Sequence, residues 1–303
     1  MATMNGGSPA YGLAPPRFRL PNATHLGCVR LQVADLERSI AYYETVIGLR
    51  MRERNGPIAR LAASALDAVI IELHEKRGVR RISRGGRIGL YHFAILLPDR
   101  AALGRFVRHL GEIGAHAGLS DHLVSEAVYL QDPDGLGIEV YADRARSEWR
   151  VENRQLAMTT IPLDVPNLLV AAGRERWSGA PTATVLGHVH LYVRDLELAT
   201  TFYHEALGFD KVVWGYPGAL FMSAGGYHHH LGINTWAAGA SLATDDDSRL
   251  LEWEVIVPDA DTVAAAARSL VAAGFDVEHE SAIAVARDPW GTQLRLLASG
   301  DAG

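Results

Sequence analysis

A single cysteine, Cys28, in 303 residues rules out an internal disulfide framework and fits a reducing compartment such as the cytoplasm. No apolar run approaches the ~18 to 20 residues needed to cross a bilayer, and the start of the chain lacks the apolar core of a secretion signal. A cytoplasmic protein with no membrane partner is therefore expected. Positive charge is in deficit, with 29 Lys and Arg against 35 Asp and Glu and a net charge of -6. Phosphate backbones need clustered cations; there is no basic stripe, so no nucleic-acid partner is expected. The length does exceed the roughly 100 to 200 residues of one ordinary domain, which predicts two compact units or one large one, with a substantial core.

The chain repeats itself. LGCVRLQVADLERSIAYYETVIGL from Leu26 recurs as LGHVHLYVRDLELATTFYHEALGF from Leu186, 160 residues on, and LYHFAILLPD from Leu90 recurs as LLEWEVIVPD from Leu250. The second pair closes with DPDGLGIEV from Asp132 and DPWGTQLRL from Asp288. Four related units follow one another. Each opens with a strand-like run of about eight residues, then an Asp suited to accept from the free N–H groups at a helix start. Helical spacing follows over Leu36 to Val46 in unit one, with Gly48 as a stop, and over Arg100 to Ile113 in unit two, before Gly114. Three shorter strand-like runs complete a βαβββ unit.

This α+β organisation, over 26–142 and 186–298, resembles the vicinal oxygen chelate superfamily, the glyoxalase/bleomycin resistance/extradiol dioxygenase fold. The resemblance implies four βαβββ modules closing into two half-open barrels around a metal. The expected division is an irregular leader at 1–24, a first pair of modules at 25–143, a connector at 144–185 with one short helix, and a second pair at 186–298. An exposed edge in a half-open barrel predicts a homo-oligomer.

Alternation along strands puts His188, His190 and Tyr192 on one face of unit three, opposite Val189, Leu191 and Val193. In unit two it sets His92, Ala94 and Leu96 against Phe93, Ile95 and Leu97, and Glu139 and Tyr141 against Ile138 and Val140. A divalent iron that must accept a substrate and dioxygen needs few protein ligands, and two histidines with one carboxylate leave positions open. Only units two and three together supply His92, His188 and Glu139. Unit one offers Cys28 and Arg30 in place of His188 and His190, and unit four places the permanently cationic Arg295 in place of Glu139. Units two and three should therefore form the metal-bearing barrel. Pairing units one and two would instead join Cys28 to His92 and Glu139, a set better suited to zinc.

Within the superfamily, residues 120–139 are similar to the extradiol ring-cleavage dioxygenase signature: His122, five residues, Val128, Tyr129, Leu130, Gln131, Asp132, Pro133 and a closing Glu139. Ser120 departs from it. The resemblance, strongest to enzymes that cleave catechol at the 2,3 bond, implies Fe(II), with Mn(II) as the alternative ion, and catechol and dioxygen as small-molecule partners. His229 would act as the acid–base residue, His122 would hydrogen-bond the ring oxygen and Tyr129 would orient the substrate anion. His190, His228 and His230 are expected to bind substrate. Within YHHHLGI, alternation sets His228 and His230 on the side of Asn234, whereas the family alignment selects His229; the residues alone leave both open. Two further readings stand beside this one. A glyoxalase-like lyase or isomerase would not require the His122 and Tyr129 pair, and a drug-binding resistance protein would not require the metal triad.

Overall fold

The computed structural model describes residues 11–300. Residues 1–10 of the expected leader lie outside them; residues 11–24 pack on unit three, where Leu13 bridges Lys211 and the buried Leu20 donates its N–H to Gly208. Two large mixed sheets dominate. One runs, by neighbouring strands, Asp210–Val213, Ala219–Ser223, Leu231–Asn234, Val185–Tyr192, Arg87–Leu96, Gly137–Asp143, Ser125–Gln131 and Gly118–Asp121. The other runs Val277–Glu280, Ile283–Arg287, Gln293–Ala298, Arg249–Val257, His25–Val33, Ile71–Glu75, Ile58–Ala62 and Arg50–Asn55. Unit three therefore joins unit two, and unit four joins unit one. This is the pairing that the ligand inventory favours.

The helices of the four units begin where the repeated aspartates predict. Asp35 accepts from the Arg38 N–H, Asp99 from Ala102, Asp195 from Glu197 and Leu198, and Asp259 from Thr262. Such a cap contributes about 1 kcal/mol at a helix start. The helix Arg100–Glu112 buries Leu103 and Phe106 completely against its sheet, each contributing roughly 1.5–3 kcal/mol by removal from water.

In units one and three the helix does not run on as a plain α-helix. Leu36–Tyr42 passes into a wider π turn, Tyr43–Ile47, and Leu196–Thr200 into Thr201–Ala206. Each π turn carries a fully buried tyrosine whose hydroxyl donates to the first Asp of a DP-x-G turn: Tyr43 to Asp132 at 3.1 Å and Tyr203 to Asp288 at 2.9 Å. The repeated Tyr and the repeated Asp are thus one contact made twice, tying unit one to unit two and unit three to unit four.

Segment 144–185 forms a small hairpin, Val151–Glu152 with Gln155–Leu156, and the helix Val165–Ala171. That helix packs on Arg100–Glu112 so closely that a Cβ on Gly104 would lie 2.5 Å from the Leu168 carbonyl oxygen. Between hairpin and helix, Met158, Thr159 and Thr160 line a cavity on the sheet formed by units two and three. Among the described residues no helix is long and apolar enough to cross a membrane.

Candidate metal centre

Adjacent strands at the seam of units two and three bring the ligand candidates together. Val185–Tyr192 pairs antiparallel with Arg87–Leu96, setting His190 opposite His92 and His188 opposite Ala94; Gly137–Asp143 pairs parallel on the other side, setting Glu139 beside Ala94. His92, Glu139 and His188 are all buried, and one potential ligand atom from each lies within 4.8 Å of the others. Among the described residues this is the one such cluster.

Two irregularities in the seam aim these side chains. The register slips between Leu186 and His188, where Gly187 is the extra residue, and again at Tyr91. Bulges of this kind re-aim side chains beside sites. At the first, a Cβ on Gly187 would meet the Tyr141 hydroxyl at 1.8 Å, so only glycine lets Tyr141 lie beneath the His188 ring, 4.9 Å centre to centre. At the second, Tyr91 comes to the cavity alongside His92, against simple alternation.

The electrostatics fit a divalent cation. The Nε2 atoms of His92 and His188 lie 3.0 and 3.2 Å from one Glu139 oxygen, but His92 Nε2 is not aligned to donate to it. Both ring nitrogens of His92 and Nδ1 of His188 are buried without a hydrogen-bond partner. Leaving a buried polar atom unpartnered costs roughly 1–3 kcal/mol; coordination by the converging Nε2 atoms would remove part of that cost. Burial lowers the proton affinity of both imidazoles, leaving them in the neutral form that binds metals. Burial alone would raise the Glu139 carboxyl, but the imidazoles of His188 and His92 outweigh it and hold the group well below the usual carboxylate range.

Around this cluster lies a cavity of about 290 Å³, lined by His92, Glu139, His122, Tyr129, His190 and His229. His122 Nδ1 lies 2.8 Å from the Thr159 carbonyl, which can only accept, so Nδ1 carries the proton and Nε2 receives the Tyr129 hydroxyl at 2.7 Å. Burial, then Glu139, pushes the Tyr129 phenol well above its ordinary range, which keeps that hydroxyl a donor. His190 Nε2 accepts from the Asn234 amide, whose own oxygen is committed to the Trp236 N–H, and the His190 ring has room because position 232 is glycine.

The three consecutive histidines separate. The strand on which they were expected begins only at Leu231, and 227–230 run through a bend, so alternation does not govern their directions. His229 lines the cavity, its ring 4.0 Å from that of His188. His228 and His230, expected to bind substrate, lie outside the cavity lining. His228 Nε2 donates to Asp143 at 2.8 Å and its Nδ1 meets His229 Nδ1 at 2.7 Å, while His230 Nδ1 accepts from the Ala224 N–H. Burial holds His230 down to about 3 and His229 well below its ordinary value, so both are neutral at pH 7. With the His228 Nε2 proton directed at Asp143, its Nδ1 faces His229 Nδ1 as an acceptor, which puts the His229 proton on Nδ1 and leaves its Nε2 a lone pair.

Residues 25–140 and 185–296 each match the profile of the Glyoxalase/Bleomycin resistance protein/Dioxygenase superfamily. The chain belongs to this superfamily. It is 42% identical over 270 residues to the catechol-2,3-dioxygenase of Bacillus subtilis, covering 88% of this chain and 94% of that protein. A lactoylglutathione lyase of Neisseria meningitidis is 28% identical over 117 residues, 36% of this chain and 83% of that one. Among solved structures, glyoxalase I of Zea mays shares the fold with a TM-score of 0.58 at 19% identity, covering 92% of this chain and 94% of that one.

The superfamily's second sheet in this chain has a different centre. Arg30, at the place of His190, donates to Glu72 at 3.0 Å, to Glu254 at 2.8 Å and to Glu252, which stands at the place of His92. Arg295 pairs with Glu280 at 2.8 Å, and Cys28 is buried with its N–H on Glu254. A guanidinium among carboxylates fills this barrel.

Repeat comparison and strand alternation do not point to several cavity residues. Arg84, Tyr216, Phe221, Trp236, Met158, Thr159 and Thr160 line the pocket from loops, a neighbouring strand and the connector. Tyr91 is concealed by its bulge. Met158, followed by Thr159 and Thr160, is too short a segment to read as anything but a loop.

Proposed function

We propose that this protein is an Fe(II)-dependent extradiol dioxygenase that opens a catechol ring with dioxygen to a 2-hydroxymuconic semialdehyde-type product, with Mn(II) as the alternative ion. One observation carries the reading: His92, His188 and Glu139 form a buried cluster, and the cavity beside it, which His92 and Glu139 line, also takes in His122, Tyr129 and His229. The 42% identity to a catechol-2,3-dioxygenase over most of both chains supports it. Two histidines and one carboxylate are the donor set that leaves open positions on a first-row ion. The bound ion would supply the electronic chemistry between catechol and dioxygen.

The protein's own groups handle protons and position. His229, with a free lone pair on Nε2 and its Nδ1 proton held by His228, takes a catechol proton as base and later returns it. Tyr129 and His122 form an accepting chain for a substrate hydroxyl: the Tyr129 oxygen is left to accept, its own proton goes to His122 Nε2, and the His122 Nδ1 proton is anchored on the connector at the Thr159 carbonyl. His190, locked by Asn234, forms a wall of the ring site. Met158, Phe221 and Trp236 supply apolar surface that excludes water from the ring.

The direct test reconstitutes the protein anaerobically with Fe(II), adds catechol and air, and follows oxygen uptake together with the yellow semialdehyde. Both signals are expected. Absence of both after iron loading has been verified by elemental analysis removes the proposal, and a parallel reconstitution with Mn(II) decides between the two ions.

A further inference from the structure

Positive charge gathers beside the metal cavity, and only part of it is paired with a carboxylate. A second cavity of about 560 Å³ lies against the first, sharing Arg84, Tyr91, His92, Gly118 and Tyr129 as a common wall. The outer cavity is lined by no Asp or Glu, and the inner one by Glu139 alone, which two histidines already engage. The whole chain carries a net charge of -6, so this segregation runs against its composition.

Five arginines fall between 77 and 87, and their pairing divides them. Arg77 reaches Glu75, and Arg80 and Arg87 both reach Asp247. Arg81 and Arg84 have no carboxylate partner among the described residues, and both line the outer cavity. Of these five arginines, Arg84 alone lines both cavities. Its guanidinium donates to the Tyr91 hydroxyl and lies 5.0 Å from the centre of the Tyr91 ring, which in turn packs 4.6 Å from the ring of His92. The cation is thus held at the cavity wall by neutral aromatic groups, with donors left over for a planar anion.

We propose that the ring-cleavage substrate is a catechol bearing a carboxylate, its ring in the inner cavity and its carboxylate on Arg84 at the shared wall. Arg84 is then the residue that sets substrate charge. This rests on the ring-cleavage reading above. The inner cavity, near the lower end of small-molecule pockets at ~300 Å³, accommodates one substituted ring, and the outer cavity takes what extends beyond it.

The test compares kcat/KM of the iron-loaded enzyme for 3,4-dihydroxyphenylacetate and 3-(2,3-dihydroxyphenyl)propionate with that for their methyl esters. At least one acid is expected to exceed its ester by about tenfold or more, as a charge-assisted contact predicts. Raising the salt should shrink the ratio. Arg84→Gln should bring it close to one, and Arg84→Lys should retain part of it. Binding gives a readout independent of turnover: without added metal, phenylacetate should bind more tightly than phenylacetamide by calorimetry, and Arg84→Gln should erase the difference. Esters cleaved as well as acids, or an acid preference that survives Arg84→Gln, would overturn the inference while leaving ring cleavage intact. Failure to cleave any catechol would instead remove the ring-cleavage reading and this inference with it.

Discussion

Glu139 and Arg295 hold the same register position in the two sheets: Glu139 lies beside Ala94 in one, and Arg295 beside Glu254, the repeat counterpart of Ala94, in the other. Opposite charges at one structural place give the two barrels different centres. In the first, three donors converge as a group that could hold a cation; in the second, Arg30 is a built-in cation among Glu72, Glu252 and Glu254.

Removing one donor should therefore release metal from the first barrel without unfolding it. Glu139→Gln and His188→Ala are each expected to weaken Fe(II) binding by at least about 100-fold, more than loss of a group that merely supports a ligand. Circular dichroism should remain native. Cys28→Ala, in the other barrel, should leave iron content unchanged in elemental analysis.

The second barrel should respond in stability rather than activity. Arg30→Met leaves three buried or half-buried carboxylates without their shared partner, and breaking such a group costs about 3–5 kcal/mol. Urea denaturation at pH 7 measures the loss.

Tyr129→Phe removes the hydroxyl that donates to His122 Nε2 but none of the converging donors. Iron content should hold. Turnover should fall by roughly 10²- to 10⁴-fold, the usual span for a positioned proton-transfer group, with KM changed far less; lost iron would contradict the assigned role.

His228→Phe tests the control of His229 by its neighbour. Without the Nδ1 acceptor at 2.7 Å, His229 is free to place its proton on either nitrogen, and kcat should drop by about tenfold or more while iron content stays. His228→Gln, which can still accept there, should recover part of the rate. Equal losses in both variants would count against the tautomer argument.

Burial of Asp132 in its turn, beside Asp134, raises its carboxyl to about 7 despite the N–H groups of Leu136 and Asp134 and the Tyr43 hydroxyl. The folded chain holds this proton more tightly than the unfolded one, whose carboxyl titrates near 3.8. Its contribution to stability is full below about pH 4 and falls as the pH rises to about 7, at no more than about 1.4 kcal/mol per unit. Asp132→Asn keeps the acceptor and should flatten that slope in urea denaturation series across pH 4 to 8.

The pattern of the sequence carried much of this. The 160-residue repeat, the helix-opening aspartates and the alternation of His188 and His190 against Val189 and Leu191 are local features, and local hydrogen bonding and side-chain period decide them. The clustering of His92, Glu139 and His188 was legible because only two of the four units hold compatible donors, which selects the sheet. The histidines at 228–230 were not legible, since alternation presumes a strand and the chain bends there. Nor was Tyr91, because a bulge depends on the partner strand.

Composition and period alone thus determined that four βαβββ units exist, where each begins, and which two could share a cation. Only the tertiary structure decided which of three adjacent histidines faces the cavity, that the connector's Thr159 sets the His122 tautomer, and that Arg84 stands between two cavities without a carboxylate. Those facts depend on side chains brought together by strand register and loop packing across tens of residues. No window along the chain contains both partners.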